Sequence, residues 1–177
     1  MEKSLVSVVI ATYNMGQYLD SAVKSILAQT WTNTEVVVID DGSSDDTALM
    51  MTKYDENTRV RFISTENQGQ PKAKNRGIQE AKGEFIAFCD ADDFWVKDKL
   101  EKQMPYFSDE KVGVVYSEVS YVDEHDTPYD KSAPYQRYTG KVTDQLLLKN
   151  FVPFGTSVIR RACIEKNGMF DEQFRMG

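Results

Sequence analysis

Glu35-Val36-Val37-Val38-Ile39, followed at once by Asp40-Asp41-Gly42-Ser43-Ser44-Asp45, decides the fold of this chain. A strand so nearly all apolar is expected to be covered on both faces, as the strands of parallel sheets are. The polar run after it is a turn, in which Asp45 is placed to cap a helix from Thr47 towards Tyr54. Working outward, residues 5–11 (LVSVVIA) form an earlier strand by their Val and Ile content. Tyr18, Leu19, Ala22, Val23, Ile26 and Leu27 recur at helical spacing between the two strands. Residues 60–64 make a third strand, and Pro71 opens a helix that Gly83 is expected to end. A fourth strand spans residues 84–89, a helix follows at about 97–107, and a fifth strand is expected at 112–116. Strands alternating with helices of this length specify an α/β fold with a parallel sheet and right-handed crossovers.

Ligands on such sheets bind beyond the carboxyl ends of the strands. Three polar motifs fall at those ends: Thr12-Tyr13-Asn14, Asp40-Asp41-Gly42-Ser43 and Asp90-Ala91-Asp92-Asp93. After Tyr116 the alternation weakens. Residues 121–138 read as an irregular polar segment, with Tyr121, Tyr129, Tyr135 and Tyr138 packing and covering its edges rather than offering their rings to a ligand. A short helix is expected at 143–149, a strand near 156–159 and a helix at 161–166.

The chain has 177 residues with Lys+Arg 21 against Asp+Glu 28, a formal charge of −7. That length implies one domain, able to bury roughly 70% of its unfolded surface without disulfide staples. The acidic balance argues against nucleic acid as a partner, since such binding needs a basic footprint. No apolar run approaches the roughly 20 residues of a membrane span, and residues 1–5 do not open a secretory signal. Cys89 and Cys163 are isolated and lack metal spacing, which suits reduced cytoplasmic thiols. His125 is the only histidine, so a histidine-based dyad or zinc site is not expected and any metal must be held by oxygen.

Asp90, Asp92 and Asp93 follow an apolar strand directly and repel one another, which a hard divalent cation would relieve. Alternate residues of a strand or tight turn face the same way, so Asp90 and Asp92 can both look into a cleft. A solvated acidic turn is the plain alternative, and the strand-end position favours a site. Gln68-Gly69-Gln70-Pro71-Lys72-Ala73-Lys74-Asn75-Arg76-Gly77 places cations at a helix N-terminus, a setting that suits phosphate. It is not a Walker loop, because the glycine spacing and the Lys-Ser/Thr pair are absent.

Taken in order, these segments resemble family 2 glycosyltransferases, inverting enzymes with the GT-A fold. The resemblance rests on Val6-Ser7-Val8-Val9-Ile10-Ala11-Thr12-Tyr13-Asn14 and Val38-Ile39-Asp40-Asp41-Gly42-Ser43-Ser44-Asp45. It continues through Asn67-Gln68-Gly69, Ala73-Lys74-Asn75-Arg76-Gly77-Ile78 and residues 83–95 (GEFIAFCDADDFW). Lys99-Leu100-Glu101-Lys102-Gln103 and Gly168-Met169-Phe170-Asp171-Glu172 complete it. The resemblance implies a Rossmann-like, mostly parallel sheet flanked by helices, in one domain over residues 1–177. Residues 1–116 would be the nucleotide-sugar half and 117–177 the start of the acceptor half.

It further implies a site for a nucleotide sugar, with UDP the expected carrier. Ala11, Thr12, Tyr13 and Asn14 would line the base pocket, and Asp41 would bind base or ribose. Asp90 and Ala91 would lie near the ribose, and Lys74 near the phosphates. Asp92 would hold Mn2+ or Mg2+ bridging the diphosphate, with Asp90 a further ligand through the nucleotide. The acceptor would be a saccharide or lipid-linked saccharide of cell-surface polymer synthesis, the setting cytoplasmic, with peripheral membrane association.

The chain departs from the family pattern at Ala11, where Pro is usual, at Lys74, where Arg is usual, and at Lys97, where Pro is common. The family's catalytic base lies after the segment containing Asp171 and Glu172. No acidic residue follows in residues 173–177, so the base is expected beyond Gly177. Alternative readings are a non-catalytic nucleotide-binding module and a nucleotidyltransferase. The second would want a Gly-rich basic loop after the first strand, which Thr12-Tyr13-Asn14-Met15-Gly16 lacks. A phospho-receiver domain also pairs aspartates at strand ends, but the second acidic cluster and the 73–78 segment set it aside.

Overall fold

The computed structural model describes residues 3–123, 125, 127–129 and 137–174. Four parallel strands form its platform: β1 (Val6–Thr12), β2 (Thr34–Asp40), β3 (Val60–Ser64) and β4 (Phe85–Phe88). β1 pairs with β2 over its whole length and with β4 on its other side, and β3 lies outside β2. The helices between them are α1 (Gly16–Leu27), α2 (Thr47–Met51) and α3 (Gln70–Glu80). Further on come α4 (Lys99–Gln103), β5 (Val114–Val115), β6 (Tyr121–Val122) and β7 (Pro128–Tyr129). The last elements are α5 (Thr143–Leu148), β8 (Val158–Arg160) and α6 (Arg161–Asn167).

Period-2 alternation sends successive apolar residues of β1 and β2 to opposite faces of the sheet, and both faces are covered. Val6, Val8, Ile10, Val36 and Val38 face one layer with Leu19, Val23, Ile26 and Leu100. Val9 packs in the opposite layer with Ile78, Ala81, Ile86 and Phe88, and Val37 and Ile39 meet Ala73 there. Each such buried side chain contributes roughly 1.5–3 kcal/mol relative to exposure. The fold is the expected α/β GT-A arrangement, a mostly parallel sheet between helical layers.

The order across the sheet is β3-β2-β1-β4-β8-β5. The expected fifth strand, β5, does run parallel to β4, but a strand of opposite direction separates the two. β8 inserts antiparallel beside β4, and β5 pairs antiparallel with β8 rather than with β4. Local alternation cannot reveal this, because the partner of β4 arrives some seventy residues later in sequence. β5 and β8 are also shorter than the strands expected at 112–116 and 156–159, and residue 156 belongs to a 3-10 turn, Phe154–Thr156. The helix expected at 97–107 is α-helical only over Lys99–Gln103 and tightens to a 3-10 turn over Met104–Ser108. Pro105 sits in that turn, where it cannot donate to the α ladder.

Gly83 does not end α3, which stops at Glu80. It is instead a close-approach glycine: a Cβ there would lie 2.6 Å from the Leu5 carbonyl, and its N–H donates to Ser7 Oγ at 2.7 Å. The 121–138 segment, expected to be irregular, contains the β6–β7 hairpin, in which the Tyr121 and Tyr129 rings lie 6.0 Å apart. Tyr138 packs on Phe151 at 4.7 Å, and Tyr135 lies outside the described residues. Both cysteines are free thiols.

Candidate nucleotide-sugar site

The strand register brings the polar motifs together. Thr12 aligns with Asp40, and the Asp41 N–H donates to the Thr12 carbonyl at 2.9 Å, so β1 and β2 end level. On the other side Val9 aligns with Phe88, and the Cys89 N–H reaches the Val9 carbonyl. Asp90 therefore emerges on the same edge as Ala11 and Thr12. The chain runs outward from β1 through β2 to β3, then returns to β4 on the other side of β1. That reversal opens a crevice at the carboxyl end of β1, where open α/β sheets bind ligands.

A cleft of about 520 Å³ occupies this crevice. Ala11, Thr12 and Tyr13 line it from the end of β1, Asp41 from β2, and Asp90, Ala91 and Asp92 from β4. These are seven of the nine residues expected from the sequence. Asn14 and Lys74 are not among the lining residues. Asn14 adopts a positive φ of 54°. Its N–H donates to Ser43 Oγ at 2.8 Å, and its Oδ1 accepts the Ser44 N–H at 2.8 Å. It thereby clamps the exit of β1 to the turn after β2. Lys74 is 7% exposed and lies behind the acidic turn, its Nζ 3.5 Å from Asp90 Oδ1 and 4.6 Å from the centre of the Phe154 ring.

Sequence reasoning missed Met15, Asn67, Gly69, Gln70 and Ala73, which complete the wall. The Asn67-Gln68-Gly69 motif was the available signal. Asp41 shows why the motif matters: its Oδ1 accepts the Gln68 N–H and its Oδ2 the Gly69 N–H, each at 2.8 Å. One carboxylate thus ties the β3–α3 loop to the cleft, and its remaining lone pairs are available to a ligand donor. Gly69 and Gln70 also bring the N-terminus of α3 to the cleft. The first-turn N–H groups there have no intrahelical acceptor and carry the positive end of the helix dipole. Opposite, Thr12 Oγ1 is buried without a hydrogen-bond partner among the described residues, an orphan that a bound polar group would satisfy.

The acidic turn carries excess negative charge. Burial, then the charges of Asp90 and Asp92, push the Asp93 carboxyl up to about 6. Among the described residues, no group of three or more His, Cys, Asp or Glu could by itself hold a metal ion. A closed metal centre does not fit. An open one does: Asp92 is exposed on the cleft and offers carboxylate oxygen, and a hard divalent ion commonly shares one or two such oxygens with ligand phosphates.

The chain is 36% identical over 132 residues to TuaG of Bacillus subtilis (strain 168), a glycosyltransferase by name assigned to teichuronic acid biosynthesis. The match covers 73% of this chain and 52% of that one. An uncharacterized glycosyltransferase of Nostoc sp. (strain PCC 7120) is 33% identical over 168 residues, 91% of this chain and 52% of its own length. The chain thus spans about half the length of these curated relatives. In three dimensions it superposes on residues 1–349 of S. aureus TarS, solved in complex with UDP-GlcNAc, with a TM-score of 0.75 at 25% identity, covering 92% of this chain and 47% of that one. The model of glycosyl transferase family 2 matches residues 7–168, and the chain belongs to that family.

Proposed function

We propose that this chain binds a nucleoside-diphosphate sugar in the cleft and forms the donor side of an inverting glycosyltransferase. One observation carries the proposal: Thr12, Asp41, the Asp90–Asp92 turn and the N-terminus of α3 converge on a single crevice at the strand reversal. Ala11, Thr12 and Tyr13 take the base, with Asn14 holding their loop from behind. Asp41 accepts from the base or a ribose hydroxyl, and Asp90 and Ala91 lie along the ribose. The positive end of α3 faces the diphosphate. Lys74 acts through Asp90, holding its carboxylate by charge rather than meeting the phosphates itself.

Asp92, with Asp90 a second oxygen source, would hold Mn2+ or Mg2+; when bound, such an ion neutralises the charge that develops on the departing diphosphate. The TarS complex with UDP-GlcNAc supports uridine as the base. The acceptor we assign to this reaction is the hydroxyl of a saccharide or lipid-linked saccharide. We place the reaction in the cytoplasm, at or near the membrane face.

Calorimetry with UDP, GDP, CDP and TDP in the presence of Mn2+ tests the donor. UDP should bind tightest, and uridine alone should bind more weakly than UDP. Absence of binding by all four into the millimolar range would overturn the donor reading.

A further inference from the structure

Lys99 is a buried lysine that the donor site does not use. It is 7% exposed, and among the described residues no carboxylate pairs with it. Its Nζ donates to Gln103 Oε1 at 2.7 Å and stands 3.9 Å from the centre of the Trp95 ring. Burial lowers its pKa to about 7, against a smaller opposing effect of Cys89. Apolar residues of similar volume would fill this space without the desolvation that an amine costs. The amine therefore needs a reason to be there.

Its geometry supplies one. Nζ donates to the Gln103 amide, and only the oxygen end of that amide can accept, which fixes the end that faces Lys99. With Oε1 turned to Lys99, Gln103 Nε2 points away and donates to the Thr156 carbonyl at 3.0 Å. Thr156 ends the Phe154–Thr156 turn, and its hydroxyl accepts the Ser117 N–H at 3.1 Å and donates to the Pro153 carbonyl at 2.7 Å. Gly155, in the middle of that turn, lies directly on the acidic cluster. A Cβ at position 155 would be 3.1 Å from Asp93 Oδ2 and 3.3 Å from Asp90 Oδ2. Gln103 is 4% and Thr156 7% exposed, so the link from α4 to the Phe154–Thr156 turn runs through the interior.

We infer that Lys99 and Gln103 are positioning residues for the diphosphate end of the cleft: through Thr156 they hold Gly155 against Asp90 and Asp93, and so set the direction in which the turn presents Asp92. The ligand rests on the donor reading above, whereas the strut itself does not. Neither residue lines the cleft, and both act through the turn.

Two measurements on the intact chain separate these levels. Hydrogen exchange reads the strut directly at the Thr156, Ser157 and Asp93 amides, whose N–H groups bond to the Pro153, Phe154 and Asp90 carbonyls. Calorimetry of UDP with Mn2+ against uridine reads the consequence at the diphosphate end. Gln103→Met should speed exchange at the three amides by about fivefold, the worth of a typical hydrogen bond, relative to amides of β1 and β2. It should weaken UDP by a similar factor and leave uridine unchanged. Lys99→Met should act in the same direction, and the Lys99→Met/Gln103→Met pair should be no worse than Gln103→Met alone, because both remove one connection. Gln103→Glu keeps an acceptor for Lys99 but loses the donor to Thr156, so its exchange should match Gln103→Met.

Unchanged exchange at Asp93 and Thr156 in Gln103→Met would overturn the inference. So would accelerated exchange with UDP affinity intact, or equal losses for UDP and uridine, either of which describes a merely structural contact. If the unsubstituted chain binds no UDP, the donor reading fails, and exchange at Asp93 still decides whether the strut holds the turn.

Discussion

Strands β1 and β2 run seven residues each with nearly every side chain buried, whereas β5 has two residues, β8 three, and Val114 in β5 is 47% exposed. The two sides of one sheet are held by different means. From β3 to β4 the ladder and two apolar layers suffice. Beyond β4 the chain is tied down by individual side chains reaching across. Asn75 brackets residue 170, donating to its carbonyl and accepting its N–H, each at 2.9 Å. Lys74 lies under Phe154, and the Arg160 guanidinium donates to the Phe107 carbonyl at 2.9 Å. The difference teaches where a substitution will be felt: packing governs the first side, single polar contacts the second. The cleft belongs to the first, with the second pressing on its acidic edge.

The largest effect should come from breaking the packed side. A Cβ at Gly77 in α3 would lie 2.2 Å from Val9 Cγ1, against the centre of the sheet. Gly77→Val should therefore destabilise the fold by about 3 kcal/mol or more, since a packed core cannot absorb the added carbons. Urea denaturation measures it. A loss below about 1 kcal/mol would show that α3 can slide on the sheet, and the contrast between the two sides would dissolve.

Next in size is a loss of binding with little loss of stability. Asp92→Asn removes a charge on the exposed lip of the cleft and no packed atom. UDP with Mn2+ should bind about tenfold more weakly, as for a charged contact, while stability stays within about 0.5 kcal/mol. Uridine should be unaffected. An equal fall for uridine and UDP, or a drop in the denaturation midpoint, would make Asp92 part of the scaffold.

The same division marks what could be read from the amino-acid sequence. β3 lies where its apolar pattern put it, and β1 and β2 differ from expectation by one residue at each end. Their both-face burial is written in runs such as Val36-Val37-Val38-Ile39, and a motif at the end of such a strand has its position set by the register. That is why Thr12, Asp41 and Asp90 meet. Direction is another matter. Whether Asn14 faces the cleft or Ser44, and whether Lys74 reaches outward or back to Asp90, depends on partners thirty and sixteen residues away. β8 was expected as a strand, but its antiparallel place beside β4 depends on a pairing no local pattern encodes. The role of Lys99 was likewise hidden, because a lysine in a helix of alternating charges reads as solvated until its burial is known.

A smaller effect should follow pH. Lys99 titrates near 7 when folded and near its ordinary 10.5 when unfolded. Between those values the unfolded chain binds the extra proton, so stability should rise with pH from about 7 upward, while well below 7 the fold carries the whole cost of the buried charge. Relaxation and water entry around the amine reduce the gain to on the order of 1 kcal/mol by about pH 9. Urea midpoints across that window should climb for the native chain and stay flat for Lys99→Met. Equal slopes would place the charged amine in contact with water.

The smallest effect tests the loose side by its silence. Leu147 and Leu148 in α5 are 82% and 88% exposed, and no residue of α5 is buried. Replacing a leucine of the packed side, such as Leu19 at 0% exposure, by alanine should cost roughly 2–5 kcal/mol through lost contacts and a cavity. The α5 leucines have no comparable contacts to lose. Leu147→Ser and Leu148→Ser together should shift stability by no more than about 0.5 kcal/mol, with serine's lower helix propensity supplying most of any change. The check is a paired urea titration of Leu19→Ala and the double serine variant, with oligomeric state followed by light scattering. If the serine variant loses more than about 1 kcal/mol, or if the chain associates and the variant does not, the leucines are covered in solution. The sheet would then have two packed sides, one of them completed only by contact with something else.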